Sequence, residues 1–230
     1  TNLKAPSVSE VSELFSYREY FSQEPIIIDL RVRPEFISAL DAALPEGRVC
    51  NKVRYKKVPI DDLTINGLQV DGKKWLRYRG YCYRHWITEQ KSLKITLENR
   101  ILGYKTFNLN ALATDLGFFE LWASQLFEAS GAITSRVTVA RVYINGRYDG
   151  LRFLVENLDS DLIRNQGFKK GHIYREKTNA FLGHYSKSPN QNGYFEKYED
   201  LNKIKKRWQK NTRKDRGWTN FHTLNDAIHD

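Results

Sequence analysis

The chain has 230 residues, 40% of them hydrophobic, enough to bury a core as one large domain or two small lobes and so to exclude a disordered tail. Lysine and arginine number 37 against 27 acidic residues, a formal net charge of +10 that suits anionic partners such as nucleotide, nucleic acid or an acidic surface. No run of about 18 apolar residues occurs, so no helical membrane span is expected, and no CxxC or Cys/His spacing is present to hold a structural zinc.

The first 20 residues are polar without a strong period and read as a surface lead-in. Because the chain opens on Thr1 and contains no methionine, loss of a preceding segment, and with it export, is the expectation. Cys50 and Cys82 allow either one disulfide or two buried thiols. "EPIIIDLRV" reads as a short buried strand, and "PEFISALDAAL" as a helix with Pro34 in its first turn and Phe36, Leu40 and Leu44 at helical spacing. Residues 48 to 80 alternate as short strands, with turn signals at Asn66-Gly67 and Asp71-Gly72.

"QKSLKITLE" is a strand by its alternation, with Lys91, Leu93, Ile95 and Leu97 on one face and Ser92, Lys94 and Thr96 on the other. "LGFFELWASQLFEASG" follows as a helix, with Asp115 as N-cap, Gly131 as its stop, and Leu116, Phe119, Ala123, Leu126 and Phe127 on the face expected to be buried. "RVTVARVYI" and "RYDGLRFLVE" are two strands joined at Asn145-Gly146, the pair that a type I′ turn favours because both central residues need positive φ. Gly150, inside the second of these strands, marks a bulge or a close approach. "LDSDLIRNQG" reads as a short helix and "HIYRE" as a short strand. Residues 203 to 216 are strongly basic and carry Trp208, which suits either a polyanion contact through charge and stacking or a solvated face over core tryptophans.

A carboxylate against an apolar helix face needs a partner, because burying an unpaired charge costs several kcal/mol. Glu120 sits at the edge of the apolar arc, and Lys91 shares its face with Leu93 and Ile95, so the two are matched as an ion pair. The other reading sends Glu120 to solvent in the first helical turn, where the macrodipole favours it. Arg84, His85 and Trp86 form either a basic aromatic patch or a loop that packs Trp86 into the core. P-loop, Rossmann, zincin and hydrolase signatures are absent.

The elements "LRYRGYCYRHWITEQKSLKITL", "FNLNALATD", the helix closing on Gly131, "VYINGRYDGLRFLVENLD" and "GHIYRE" together resemble the spore-coat protein H (CotH) kinase-like family over roughly residues 75 to 176. The most specific of them is Asn145-Gly146-x-Tyr148-x-Gly150 running on to Glu156. The resemblance implies an α+β fold, a protein-kinase-like small lobe of antiparallel sheet plus one main helix over residues 1–155, with residues 156–230 as the lobe connection and start of an incomplete larger lobe. It also implies an atypical kinase that uses ATP with Mg or Mn to phosphorylate serine on secreted or coat proteins. By motif position it puts Arg79 and Lys91 at the nucleotide phosphates, Glu120 as the orienter of Lys91, and Glu156 and Asn157 at the lobe connection.

Tyr81-Cys82-Tyr83 departs from the serine-rich turn usual after the family's Arg-Gly. The metal-holding and proton-accepting aspartates are expected beyond Asp230, since Asp226 and Asp230 lie in no recognisable motif. Residues 1–230 are therefore expected to bind nucleotide weakly and to transfer no phosphate. The alternative function is a non-catalytic module that binds nucleic acid or acidic surfaces through residues 203 to 216.

Overall fold

A computed structural model describes residues 24–47, 56–80, 83–112, 117–168, 173–176 and 208–210. The polar lead-in, Cys50, Cys82, Asp115, Leu116, most of the basic run at 203 to 216, Asp226 and Asp230 lie outside the described residues. The chain divides into two compact units, residues 1–157 and 158–230. No helix among the described residues is long and apolar enough to cross a membrane.

The first unit is built on one nine-stranded sheet. Its elements are β1 (Ile26–Arg31), α1 (Pro34–Asp41), β2 (Val58–Pro59), β3 (Asp62–Ile65), β4 (Leu68–Gln69), β5 (Lys74–Tyr78), β6 (Leu93–Ile101), β7 (Tyr104–Ala111), α2 (Gly117–Ala129), β8 (Val137–Ile144) and β9 (Arg147–Glu156). The class is α+β, but the sheet is mixed rather than antiparallel throughout: β1 lies parallel to β8, and every other pairing in it is antiparallel. A parallel pairing joins segments more than a hundred residues apart, and no local signal announces it.

Strand order runs β2-β5-β6-β7-β9-β8-β1-β3-β4, which places β2 and β4 at opposite edges. Yet β2 reaches β3 through Ile60 and Asp61 alone. The Ile60 N–H donates to Lys74 O on β5 at 3.0 Å, and the Asp61 N–H donates to Arg31 O on β1 at 2.9 Å. Adjacent residues cannot span a flat nine-stranded sheet whose strands stand roughly 4.8 Å apart. The sheet is therefore rolled until its edges meet. Its inner face gathers Ile28, Leu30, Leu63, Ile65, Leu76, Leu93, Ile95, Leu97, Phe107, Leu109, Ala140, Val142 and Leu154 into a single core.

Two asparagines fix the roll. Asn66-Gly67 and Asn145-Gly146 both have positive φ at both residues, as type I′ turns require. The Asn145 side chain accepts from the Val32 N–H and donates to Val32 O, both at 2.8 Å, and Asn66 Oδ1 accepts from the Ile27 N–H at 2.7 Å. Each turn thus also fastens β1.

Helix α2 packs on the outer face of the sheet through Leu121, which meets Val137, Phe153 and Val155. Ser124 Oγ donates to Ser135 O at 2.6 Å on the same side. The expected inward face is corrected here: Phe119, Leu126 and Phe127 are exposed. The helix is apolar almost all round, so its periodicity alone does not select the side that packs.

The second unit contains α3 (Ser160–Asn165), capped by the Asp159 side chain on the Asp161 N–H at 2.8 Å, and the antiparallel pair β10 (Tyr174–Glu176) and β11 (Trp208–Lys210).

Gly150 is the bulge that its place in the strand predicts. Val142 pairs with Gly150 and Tyr143 with Tyr148, so Asp149 is the extra residue, and Gly150 has φ +113°. A Cβ there would stand 2.7 Å from Gln90 Nε2, which donates to Asp149 O and Leu151 O and so clamps the bulge. Gly150→Val should lower stability by about 1–3 kcal/mol, through backbone strain and loss of the clamp. An unshifted urea midpoint would show that neither constrains the fold.

Candidate functional site

The outer face of the sheet is read from the strand registers. One row runs straight across five strands: Arg77 on β5, Lys94 on β6, Asn108 on β7, Val155 on β9 and Val137 on β8. It is polar and cationic on β5–β7 and apolar on β9–β8, where α2 packs. Two residues along each strand a second row follows, with Asn110 opposite Phe153, and the Arg79 N–H donating to Ser92 O at 2.9 Å. Side chains alternate along a strand, so Arg77 and Arg79, Lys94, and Asn108 and Asn110 share this face, whereas Tyr78, Leu93, Ile95 and Leu109 fill the inner core.

Hydrogen bonds tie the rows together. Lys94 Nζ donates to Asn157 Oδ1 at 2.6 Å, and Asn108 Nδ2 donates to Val155 O at 3.3 Å. Arg79 Nη1 donates to Asn110 Oδ1 at 2.5 Å, and Asn110 Nδ2 donates to Glu120 Oε2 at 2.7 Å. Glu120, in the first turn of α2, stays exposed.

Lys91 and Glu120 are not brought together. Lys91 lies just before β6 and on the inner side, where its Nζ stands 3.4 Å from Asp41 Oδ1 at the end of α1 and 5.8 Å from the Tyr78 ring centroid. The Tyr78 hydroxyl donates to the same Asp41 oxygen at 2.9 Å, and burial, then this bond, raises the Tyr78 pKa. The reason is geometric. The sheet has its apolar core on the inner face and α2 on the outer one, so the apolar face that Lys91 shares is the inner core, while the helix carboxylate lies over the other face.

Glu156, at the end of β9, is 1% exposed and forms an ion pair with Arg136, Oε2 to Nε at 3.2 Å. The Arg136 guanidinium also lies 4.9 Å from the Tyr104 ring centroid. Glu156 is thus a buried, hydrogen-bonded carboxylate, and Asn157 beside it meets Lys94. Arg152, buried on the inner face, is held by Asp149 and by the Lys91 carbonyl.

The loop between β5 and β6 begins with Arg79-Gly80, and the structure explains the glycine. A Cβ on Gly80 would lie 2.3 Å from the His85 ring, and Gly80 has φ +118°. Ser92 Oγ accepts from the Ala111 N–H at 3.0 Å and shares a hydrogen bond with His85 Nδ1 at 3.1 Å. Trp86 is buried, which answers the choice between patch and core. Burial, then the nearby Arg79 charge, lowers the His85 pKa from 6.5 to about 4.

Lys94, Asn108 and Asn110 are candidate site residues to which the sequence reading gave no role. The usable signal lay in "FNLNALA", where asparagines alternate with apolar residues and so mark a covered polar face. Among the described residues no three His, Cys, Asp or Glu side chains gather as a metal site.

Two predictions follow from this geometry. Between pH 6.5 and about 4 the unfolded chain binds a proton at His85 that the folded chain does not. His85 therefore makes stability fall as pH falls through that window. The wild-type urea midpoint should drop across it by more than that of His85→Gln, and parallel curves would remove His85 as the cause. Lys91 and Asp41 should show a coupling of about 0.2–1 kcal/mol in a double-mutant cycle, while Lys91 and Glu120 should be additive. Coupling in the second cycle and none in the first would reverse the pairing.

A family model described as CotH kinase protein matches residues 76–230, and no curated protein matches the chain.

Proposed function

The chain belongs to the CotH kinase family, and on that premise we propose that it is an atypical kinase module whose ATP phosphates are held on the outer face of β5–β7. The carrying observation is the cationic row: Arg77 beside Lys94 in register, with Arg79 two residues further along β5. Three consecutive antiparallel strands, a helix and a hairpin that returns beside the third strand are the order of a kinase small lobe, where a strand cation meets the phosphates and a helix carboxylate orients it. In this reading Lys94 is the strand cation, Arg79 is the cation oriented from the helix, and Asn157 sets the Lys94 ammonium at the end of the sheet.

Charge-assisted contacts to phosphate are among the stronger hydrogen bonds, so this row fits the triphosphate chemically. The described residues do not assign protein ligands to Mg or Mn, which would come bound to the nucleotide and neutralise charge on its phosphates. The reaction proposed is transfer of the γ-phosphoryl group to serine hydroxyls of secreted or coat proteins. Strands β1–β4 precede the family match and complete the roll of the sheet, so their contribution is to rigidify the platform.

Binding of Mg–ATP by calorimetry tests the assignment. Removing one charged contact costs roughly 1.5–3 kcal/mol, so Lys94→Ala should weaken binding about tenfold or more. Lys91→Ala should leave it within about threefold, because its partner Asp41 lies on the other face. The opposite ranking would return the phosphate role to Lys91, and no binding by the wild type would overturn the nucleotide reading itself.

A further inference from the structure

Resting on that nucleotide reading, we propose that Asn110 is a positioning residue that couples helix α2 to Arg79. Its side-chain amide takes one N–H of the Arg79 guanidinium and gives one to the Glu120 carboxylate, at 2.5 and 2.7 Å. The polarity of the amide is fixed by its two neighbours. Turned over, it would set oxygen against carboxylate and NH₂ against guanidinium, which neither partner can satisfy.

Asn110 is 8% exposed, so its amide is sheltered, while its Glu120 partner meets solvent. A direct Arg79–Glu120 ion pair would set a negative charge where an anion has to bind. A neutral carbonyl orients the same guanidinium without adding one. Phe118 on α2 meets Phe153 edge-on at 5.6 Å, and Phe153 is the strand neighbour of Asn110. The first turn of α2 is thereby seated over the amide by a second, apolar contact. A shift of α2 longer than a hydrogen bond would break the Asn110–Glu120 bond, so helix position reaches the phosphate-facing cation through this amide.

The relay can be cut at the amide or at the carboxylate that holds it. Asn110→Asp alone sets two carboxylates face to face and should weaken Mg–ATP binding about tenfold. Glu120→Ala removes the acceptor for the Asn110 amide and should weaken Mg–ATP binding about threefold or more. Binding by Asn110→Asp at wild-type strength overturns the relay. If Asn110→Asp does not fold, Asn110→Ser cuts the same link, and binding by folded Asn110→Ser at wild-type strength overturns it equally.

A readout without nucleotide separates this claim from the one beneath it. Urea midpoints of Arg79→Gln, Glu120→Ala and their combination should be non-additive in the native background and additive in the Asn110→Ser background. Additivity in both backgrounds sinks the relay whatever ATP does. Non-additivity that disappears with Asn110→Ser, beside a wild type that binds no Mg–ATP, leaves the relay standing and removes only the nucleotide reading.

Discussion

Period-two alternation on a rolled sheet that carries a helix on its outer face is the constraint from which the rest follows. Each strand residue goes either to the rolled inner core or to the face that carries α2 and the cationic row, with nothing between. Lys91 and Lys94 are three positions apart, an odd number, so they cannot share a face. The inner core contains Leu93, Ile95 and Leu97 without a gap, and the outer face is left with what that core rejects: Arg77, Lys94, Thr96, Asn108 and Asn110. Core and site are thus complementary halves of the same strands.

Arg152 and Glu156, two buried charges of β9, are each answered. Arg152 is satisfied by Asp149 and the Lys91 carbonyl, and Glu156 by Arg136. These pairs matter less for net stability than for fixing one arrangement, since a buried charge left without its partner is the costly state. Gln90 joins the bulge of β9 to the Leu112 N–H through its two amide ends, and so sets the loop after β5 against the rest of the outer face. The Arg79-Gly80 pair then has two distinct jobs, a cation for the face and a gap for the His85 ring.

Local signals made much of the fold legible: the buried strand at 26–31, the helix opened by Pro34, both Asn-Gly turns, the Gly150 bulge and the alternation of β6. These depend on a residue and its near neighbours. What stayed hidden was relational. The alternation of "QKSLKITLE" separates Lys91 from Lys94 but does not say which face meets the helix, and the near-uniform apolarity of α2 does not say which side packs. The exchange of a direct lysine–glutamate pair for an Arg79–Asn110–Glu120 chain needed the register of β5, β6 and β7 together. The parallel seating of β1 on β8 needed the whole sheet.

That seating bears on the order in which the molecule assembles. The Asn145 side chain closes on Val32 across 113 residues of chain, and β1 obtains its parallel partner only at β8. During synthesis β1 leaves the ribosome before β3 and pairs antiparallel with it, but its other edge stays open until residues 137–144 have followed. Long-range pairing of this kind is reached late, after loop closure has been met, and slows folding relative to local contacts. A strand made more than a hundred residues before its partner is thus among the last of this sheet to be enclosed, and the interval in which its edge stands bare is one in which the nascent chain needs protection from aggregation.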